Sequence, residues 1–403
     1  MWLDGSLTLD RFYPWFERQA PHLTPAFFIS RGHAWSRYPV GTALLAAPLY
    51  APLALSAAAQ NWSTEKVVVV AGVMEKISAS LLTALGAGLF YLLLIDLGWR
   101  RAAWALTITY AFATSCWSVS SQALWQHGAA QLAIIAALLA LSRLERRPTP
   151  AWFAAAGAAA GAAAAIRLSN LLFLAPLAAA VLLAYRRPRH ILSFALAVGL
   201  PLGTVLGYNL WVFGRLTGAY SGGFDGSLAS GLAGLLFSPA RGLLVYTPVL
   251  VFALAGLWSI RRRLLVSPIY LSAGLFPLLL VLVTGKWKIW WGGHCYGPRL
   301  LADALPCLVL LIAPVWDSIS AKRTVRVMFY SLLGASLLVQ AVGAFCYPNS
   351  GWDEQPTAIG KSPERLWDWR DNPVARSFRA GPRLGPDPRW LPELRRNLFP
   401  GPG

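Results

Sequence analysis

Charge is what this sequence lacks. Only 13% of its 403 residues are Asp, Glu, Lys or Arg, against roughly 25% in an ordinary soluble chain. Acids are the scarcer sign, 17 against 35 basic residues, and lysine is nearly missing, 6 Lys beside 29 Arg. Cysteine is limited to Cys116, Cys295, Cys307 and Cys346. None lies two or three residues from another, which excludes the paired spacing of a zinc site or a redox dithiol. A soluble chain of two or three domains is excluded as well. With 56% of residues hydrophobic and a mean hydropathy of +0.51, too little polar surface remains to cover one. The preference for Arg over Lys, with abundant Ala, points to a bacterium with GC-rich DNA.

What the chain does contain is long uncharged stretches punctuated by basic clusters. A net charge of +18 would suggest nucleic acid in a soluble protein. Here 14 of the 26 basic residues before position 346 fall in five clusters: Arg100 and Arg101; Arg143, Arg146 and Arg147; Arg186, Arg187 and Arg189; Arg261 to Arg263; Lys322, Arg323 and Arg326. Short loops rich in Lys and Arg mark the cytoplasmic face of a polytopic membrane protein. All five are therefore placed inside, and each interval between them must cross the membrane an even number of times. Residues 102–142 carry no formal charge and suffice for two spans of roughly 20 residues, turning at Ser120 to His127. Residues 148–185 make a tighter pair about Arg167. Segments 191–213 and 243–260, then 264–285 and 300–318, flank two outer loops, and 67–95 and 327–345 are the first and last spans.

The pattern predicts an all-α polytopic membrane protein with about ten transmembrane helices. The apolar run 40–60 contains Pro48 and Pro52, which remove helical hydrogen bonds. It reads as a juxtamembrane or re-entrant helix on the outer face, with a complete span as the alternative. Three parts result: an outer loop with this helix at 1–66, a transmembrane domain at 67–345, and an extracytoplasmic Trp-, Pro- and Arg-rich tail at 346–403. The tail's 9 basic and 7 acidic residues leave too small a charge for a nucleic-acid arm.

Arg167, Arg215, Arg241, Lys286, Lys288 and Arg299 fall on the face where topology markers should be absent. Unpaired cations at a membrane boundary are unfavourable, so something must offset them. A lipid phosphate would, with Arg offering a bidentate fork and Lys a point charge. The alternative is snorkelling to headgroups together with pairing to Asp225 or Asp303. Three outer segments combine cations with Gly, Pro and aromatics: Phe237-Ser-Pro-Ala-Arg-Gly-Leu-Leu-Val-Tyr-Thr-Pro248, Lys286-Trp-Lys-Ile-Trp-Trp-Gly-Gly-His-Cys-Tyr-Gly-Pro-Arg299, and Trp125-Gln126-His127. Aromatic faces stack on sugar rings while cations take phosphate. Trp291, His294 and His127 therefore join Arg167, Arg241, Lys286, Lys288 and Arg299 as candidates for a lipid-linked sugar. The two histidines read equally well as satisfied boundary groups, and Glu75-Lys76, inside the first span, as partners of other helices.

Taken in order, these pieces resemble the GT-C superfamily of polytopic glycosyltransferases, relatives of protein O-mannosyltransferases and of the aminoarabinose transferase of lipid A. The resemblance extends from about residue 5 to 320. It rests on Asp4-Gly-Ser-Leu-Thr-Leu-Asp10 with Tyr38-Pro-Val-Gly41, Ser121-Gln-Ala-Leu-Trp-Gln-His127, Gly157 to Arg167, Ser238-Pro-Ala-Arg-Gly242, and Trp291-Gly-Gly-His-Cys-Tyr-Gly-Pro-Arg299. It implies a sugar transferred from a polyprenyl phosphate to an extracytoplasmic glycan, lipid or protein, at the outer face of a bacterial inner membrane. An outer-loop carboxylate would take the acceptor's proton, and cations would stabilise the leaving phosphate. Members of the family usually have a first span and then an acidic residue before the turn that Asp4-Gly5 resembles. Here both are expected to be missing from the chain as it begins at Met1, with a start further upstream favoured over a decayed copy, and Asp10 and Asp4 are the outer-loop acids left to substitute. No organic cofactor is implied, and a divalent metal at the phosphate stays open. The competing readings are a transporter or lipid flippase, which should show internal repeats, and an inactive homologue.

Overall fold

The computed structural model describes residues 3, 5–219, 223–262 and 267–382. Of the residues singled out above, Asp4 and Arg263 lie outside the described ones. Among those described, seven helices are long and apolar enough to cross a membrane: Gly41–Ala59, Thr64–Asp96, Gln126–Arg146, Pro188–Phe213, Pro268–Lys286, Arg299–Ala321 and Arg323–Asn349. Five shorter apolar helices accompany them, Ala103–Phe112, Pro150–Ile166, Leu168–Ala184, Leu228–Phe237 and Pro248–Ile260. The only β-pairing among the described residues is a hairpin, Phe27–Ser30 against His33–Ser36. Its two-residue turn places both Arg31 and Gly32 at positive φ, as a type I′ hairpin requires.

Helix ends follow local chemistry. Ser63 caps Thr64–Asp96 by accepting the Lys66 N–H, and Pro150, Pro188 and Pro268 each open a helix where a missing N–H costs nothing. At the other end of the first long helix, Asp96 accepts from Arg143 Nε at 3.0 Å. That bond brings the ends of Thr64–Asp96 and Gln126–Arg146 to one level, beside the basic cluster that the sequence places inside. Interior prolines also shape the fold. The segment 243–260 is divided at Pro248, and 299–321 is a succession of short helical pieces around Pro306 and Pro314. Pro48 and Pro52, in contrast, are carried inside one unbroken 19-residue helix, Gly41–Ala59.

Gln126–Arg146 is the central helix, with 89% of its most apolar stretch buried. It packs between Thr64–Asp96 and Pro150–Ile166, and the latter packs in turn on Pro188–Phe213. The last contact is close because Gly157 and Gly161 face it. A Cβ added at either would stand 2.4 Å from the Phe194 carbonyl oxygen or 2.6 Å from that of Val198. This small-xxx-small approach is how helices associate in lipid, where hydrophobicity supplies no net driving force between them. The chain after Tyr347 returns over one end of the bundle through short turns and the helix Pro373–Ala380.

Candidate functional site

The cations that the sequence places on the outer face separate into three environments. Arg241 is fully buried. Its Nη2 bonds Asp353 Oδ1 at 2.7 Å and the Gly293 carbonyl at 3.1 Å, Nε bonds the Trp291 carbonyl at 3.1 Å, and Nη1 the Ala240 carbonyl at 2.8 Å. The Trp352 ring lies 5.3 Å away, and Tyr347 donates its hydroxyl to the other oxygen of Asp353. Every part of the guanidinium is therefore engaged inside the protein. It joins the Trp-rich loop to the tail, 112 residues away in sequence. Trp291 serves the same joint through its carbonyl.

Arg167 follows the capped C-terminal end of Pro150–Ile166 and reaches Asp303 Oδ2 at 2.7 Å. Asp303 is fully buried, and its other oxygen lies 2.8 Å from His127 Nδ1. Arg167 Nη1 is also 2.8 Å from that nitrogen. Three segments thus meet at one carboxylate, and the adjoining Gln131 bridges the Tyr110 hydroxyl and the Ala302 carbonyl. Both Arg167 and Arg241 have their charges answered by acids. The alternative of pairing with Asp303 or Asp225 describes Arg167, and also Lys288, whose Nζ is 3.7 Å from Asp225 in an exposed pair. Lys286 and Arg215 are exposed.

Arg299 differs from all of these. It follows a loop whose shape depends on glycine, with Gly292, Gly293 and Gly297 all at φ between +66° and +76°, where a side chain is strained. The loop delivers the guanidinium to within 4.5 Å of the Trp125 ring centroid. Nη2 donates to the Gly292 carbonyl at 2.6 Å, while Nε is buried without a hydrogen-bond partner. No carboxylate among the described residues lies within ion-pair distance of Arg299.

Arg299 opens onto a cavity of about 200 Å³ that also takes in Lys76, Gln122, Trp125, His294 and Tyr347. Lys76 extends from the middle of Thr64–Asp96 to Gln122 Oε1. His294 sits at the rim, 2.9 Å from Glu354. No Asp or Glu is among the described residues lining the cavity. Two cations, an amide and an indole face around an acid-free space suit an anion with an adjoining ring. Among the described residues no group of three or more His, Cys, Asp or Glu is placed to hold a metal ion.

Compared with protein-family models, with curated proteins and with solved structures, the chain has no match.

Of the residues anticipated from sequence, the cavity thus brings together Arg299 and His294. Arg167, His127 and Arg241 lie in buried pairs beside it. Lys76 entered the sequence reading only as a partner for another helix. Its position inside a span, where a charge is costly, was the available signal. Asp10 lies elsewhere, in the N-terminal segment. Its Oδ1 accepts the Ala34 N–H at 2.7 Å and its Oδ2 lies 2.7 Å from His33 Nδ1. The Ala34 bond holds this carboxyl below the ordinary aspartate range, assisted by His33 and against the opposing effect of burial.

A depressed folded-state pKa fixes the sign of the pH dependence. The hold on the hairpin is fully present above the unfolded aspartate value of about 3.9 and is lost as the pH falls through the lower folded value. Hydrogen exchange at the Ala34 amide, corrected for its intrinsic pH dependence, should therefore stay slow at neutral and mildly acidic pH and quicken only in strong acid. Exchange that stayed slow in strong acid would instead show that the Asp10 carboxylate does not hold the hairpin.

Proposed function

We propose that this chain is an integral membrane glycosyltransferase of the GT-C type, which takes a sugar from a polyprenyl-phosphate donor and passes it to an extracytoplasmic acceptor. What supports the reading is one observation above the others: Arg299, free of any acid partner among the described residues, beside Lys76 and Trp125 in a cavity at the edge of the helices. The donor phosphate would take the Arg299 guanidinium and the Lys76 ammonium, and the sugar would lie toward Trp125. The acceptor oxygen bonds to the anomeric carbon, the bond from that carbon to the phosphate oxygen breaks, and the hydroxyl proton passes to the departing phosphate or to water. Charge then builds on the departing polyprenyl phosphate, where fixed cations contribute most. In this reading about ten segments cross a bacterial inner membrane. Gly41–Ala59 lies along the outer boundary, and the cavity faces the extracytoplasmic side.

A second reading, a homologue that binds the lipid phosphate without transferring its sugar, is favoured by the acid-free lining and by Asp10, whose two oxygens are already engaged. Binding and transfer separate the two. Arg299→Ala in the detergent-solubilised full chain should weaken binding of a polyprenyl phosphate by about tenfold or more, the scale of one charge-assisted contact. Lys76→Met should weaken it in the same direction. Unchanged affinity in both variants would overturn the phosphate assignment. Sugar release to acceptor by the parent chain would decide for the enzyme.

A further inference from the structure

The tail has a packed side and an open one. Trp352, Ile359 and Leu366 are buried, and Arg365 lies over the Trp352 ring at 4.6 Å while bonding the Trp352 carbonyl at 2.8 Å. On the open side Trp369 and Phe378 are 64% and 72% exposed, well beyond what packing onto the protein would leave. The helix Pro373–Ala380 explains the division. Pro373 and Ser377, one turn apart, are its buried residues, so the following positions, Phe378 and Arg379, turn outward.

Where that face points is set by what the helix rests on. Pro373–Ala380 packs against the long apolar helix Arg323–Cys346 and the turn Tyr347–Asn349. Asn349 Nδ2 donates to the Gly381 carbonyl at 3.3 Å. Because Arg323–Asn349 is one of the membrane-length helices, a short helix seated on its end lies at the boundary between hydrocarbon and water. Exposed Trp and Phe flanked by Arg are the residues favoured there, rings among the headgroups and cations toward phosphate. Among the described residues, the acid paired with Arg379 is Asp371, at 4.0 Å, which is shared with the closer Arg376 and with Arg365.

We propose that Trp369, Phe378 and Arg379 dock the tail onto the lipid headgroup surface. The wall of the cavity formed by Tyr347 and Pro348 is then held from two sides, by the buried Arg241–Asp353 pair and by the bilayer. The proposal rests on the chain being embedded in a membrane and is independent of sugar transfer.

The test uses the full chain in phosphatidylcholine–phosphatidylglycerol liposomes, with Phe378→Cys or Trp369→Cys carrying an environment-sensitive nitrobenzoxadiazole label. The native cysteines are all buried, and the labelled parent chain serves as blank. Docking predicts a blue-shifted emission, loss of emission with lipids bearing a spin label near the headgroup, and protection from aqueous iodide, all independent of the protein-to-lipid ratio. Iodide access without lipid quenching, at both positions, would overturn it. Protection that grows with the protein-to-lipid ratio would also overturn it, by assigning the face to a second copy of the chain.

Discussion

Asp353→Ala is expected to destabilise the end of the molecule that carries the tail by about 3–5 kcal/mol, the usual result of leaving one partner of a buried ion pair uncompensated. Arg241 has no exposed surface, and without Asp353 its charge faces only carbonyls and the Trp352 ring. The effect should be local. Thermal unfolding in detergent should fall, and trypsin should cut sooner at Arg365 and Arg370 as the tail detaches, while the long helices stay protected. The double variant Arg241→Met with Asp353→Leu removes both charges and should recover much of the loss, as buried pairs replaced by apolar residues often do. A double variant no better than Asp353→Ala alone would mean that Arg241 acts outside the pair, and the reading of the tail joint would fail.

Much of the architecture was legible in sequence because apolar runs bounded by charge determine where helices end. The expected segments 67–95, 191–213 and 327–345 correspond to helices Thr64–Asp96, Pro188–Phe213 and Arg323–Cys346. The reading was weaker where proline was concerned. Pro48 and Pro52 counted against a complete span at 40–60, and the helix expected there runs unbroken across both as Gly41–Ala59. Pro248 and Pro306 lie in segments read as simple spans that are divided. Whether a proline breaks a helix depends on which neighbours satisfy the freed carbonyls, and that is tertiary information. The same limit applies to the cations. A surplus of basic residues on one face was visible, but which of them lacks an acid was not. Asp303, four residues beyond Arg299, was one of two acids offered as partners for the whole set of cations. In the fold it turns to Arg167 and His127 instead, and Asp353 is brought to Arg241 across 112 residues. Only once these acids are placed does Arg299 stand out.

The Asp303 junction makes the second large expectation, again on the order of 3–5 kcal/mol for removal of one partner from a buried pair. Asp303→Ala leaves Arg167 and His127 facing each other 2.8 Å apart with no acid between them, at the point where Gln126–Arg146, the end of Pro150–Ile166 and the start of Arg299–Ala321 converge. The loss should appear as lower thermal stability of the whole helical core, unlike the local effect of Asp353→Ala. Asp303→Asn, which keeps the size and one acceptor, should lose less. Binding of a polyprenyl phosphate discriminates between two roles for Arg167. If the pair is structural, Asp303→Asn weakens or leaves unchanged the affinity proposed for Arg299 and Lys76. If Arg167 belongs to the phosphate site and Asp303 merely competes for it, the same substitution releases the guanidinium and tightens binding. Tighter binding would move the anion site from the Arg299 cavity to the junction of the three helices.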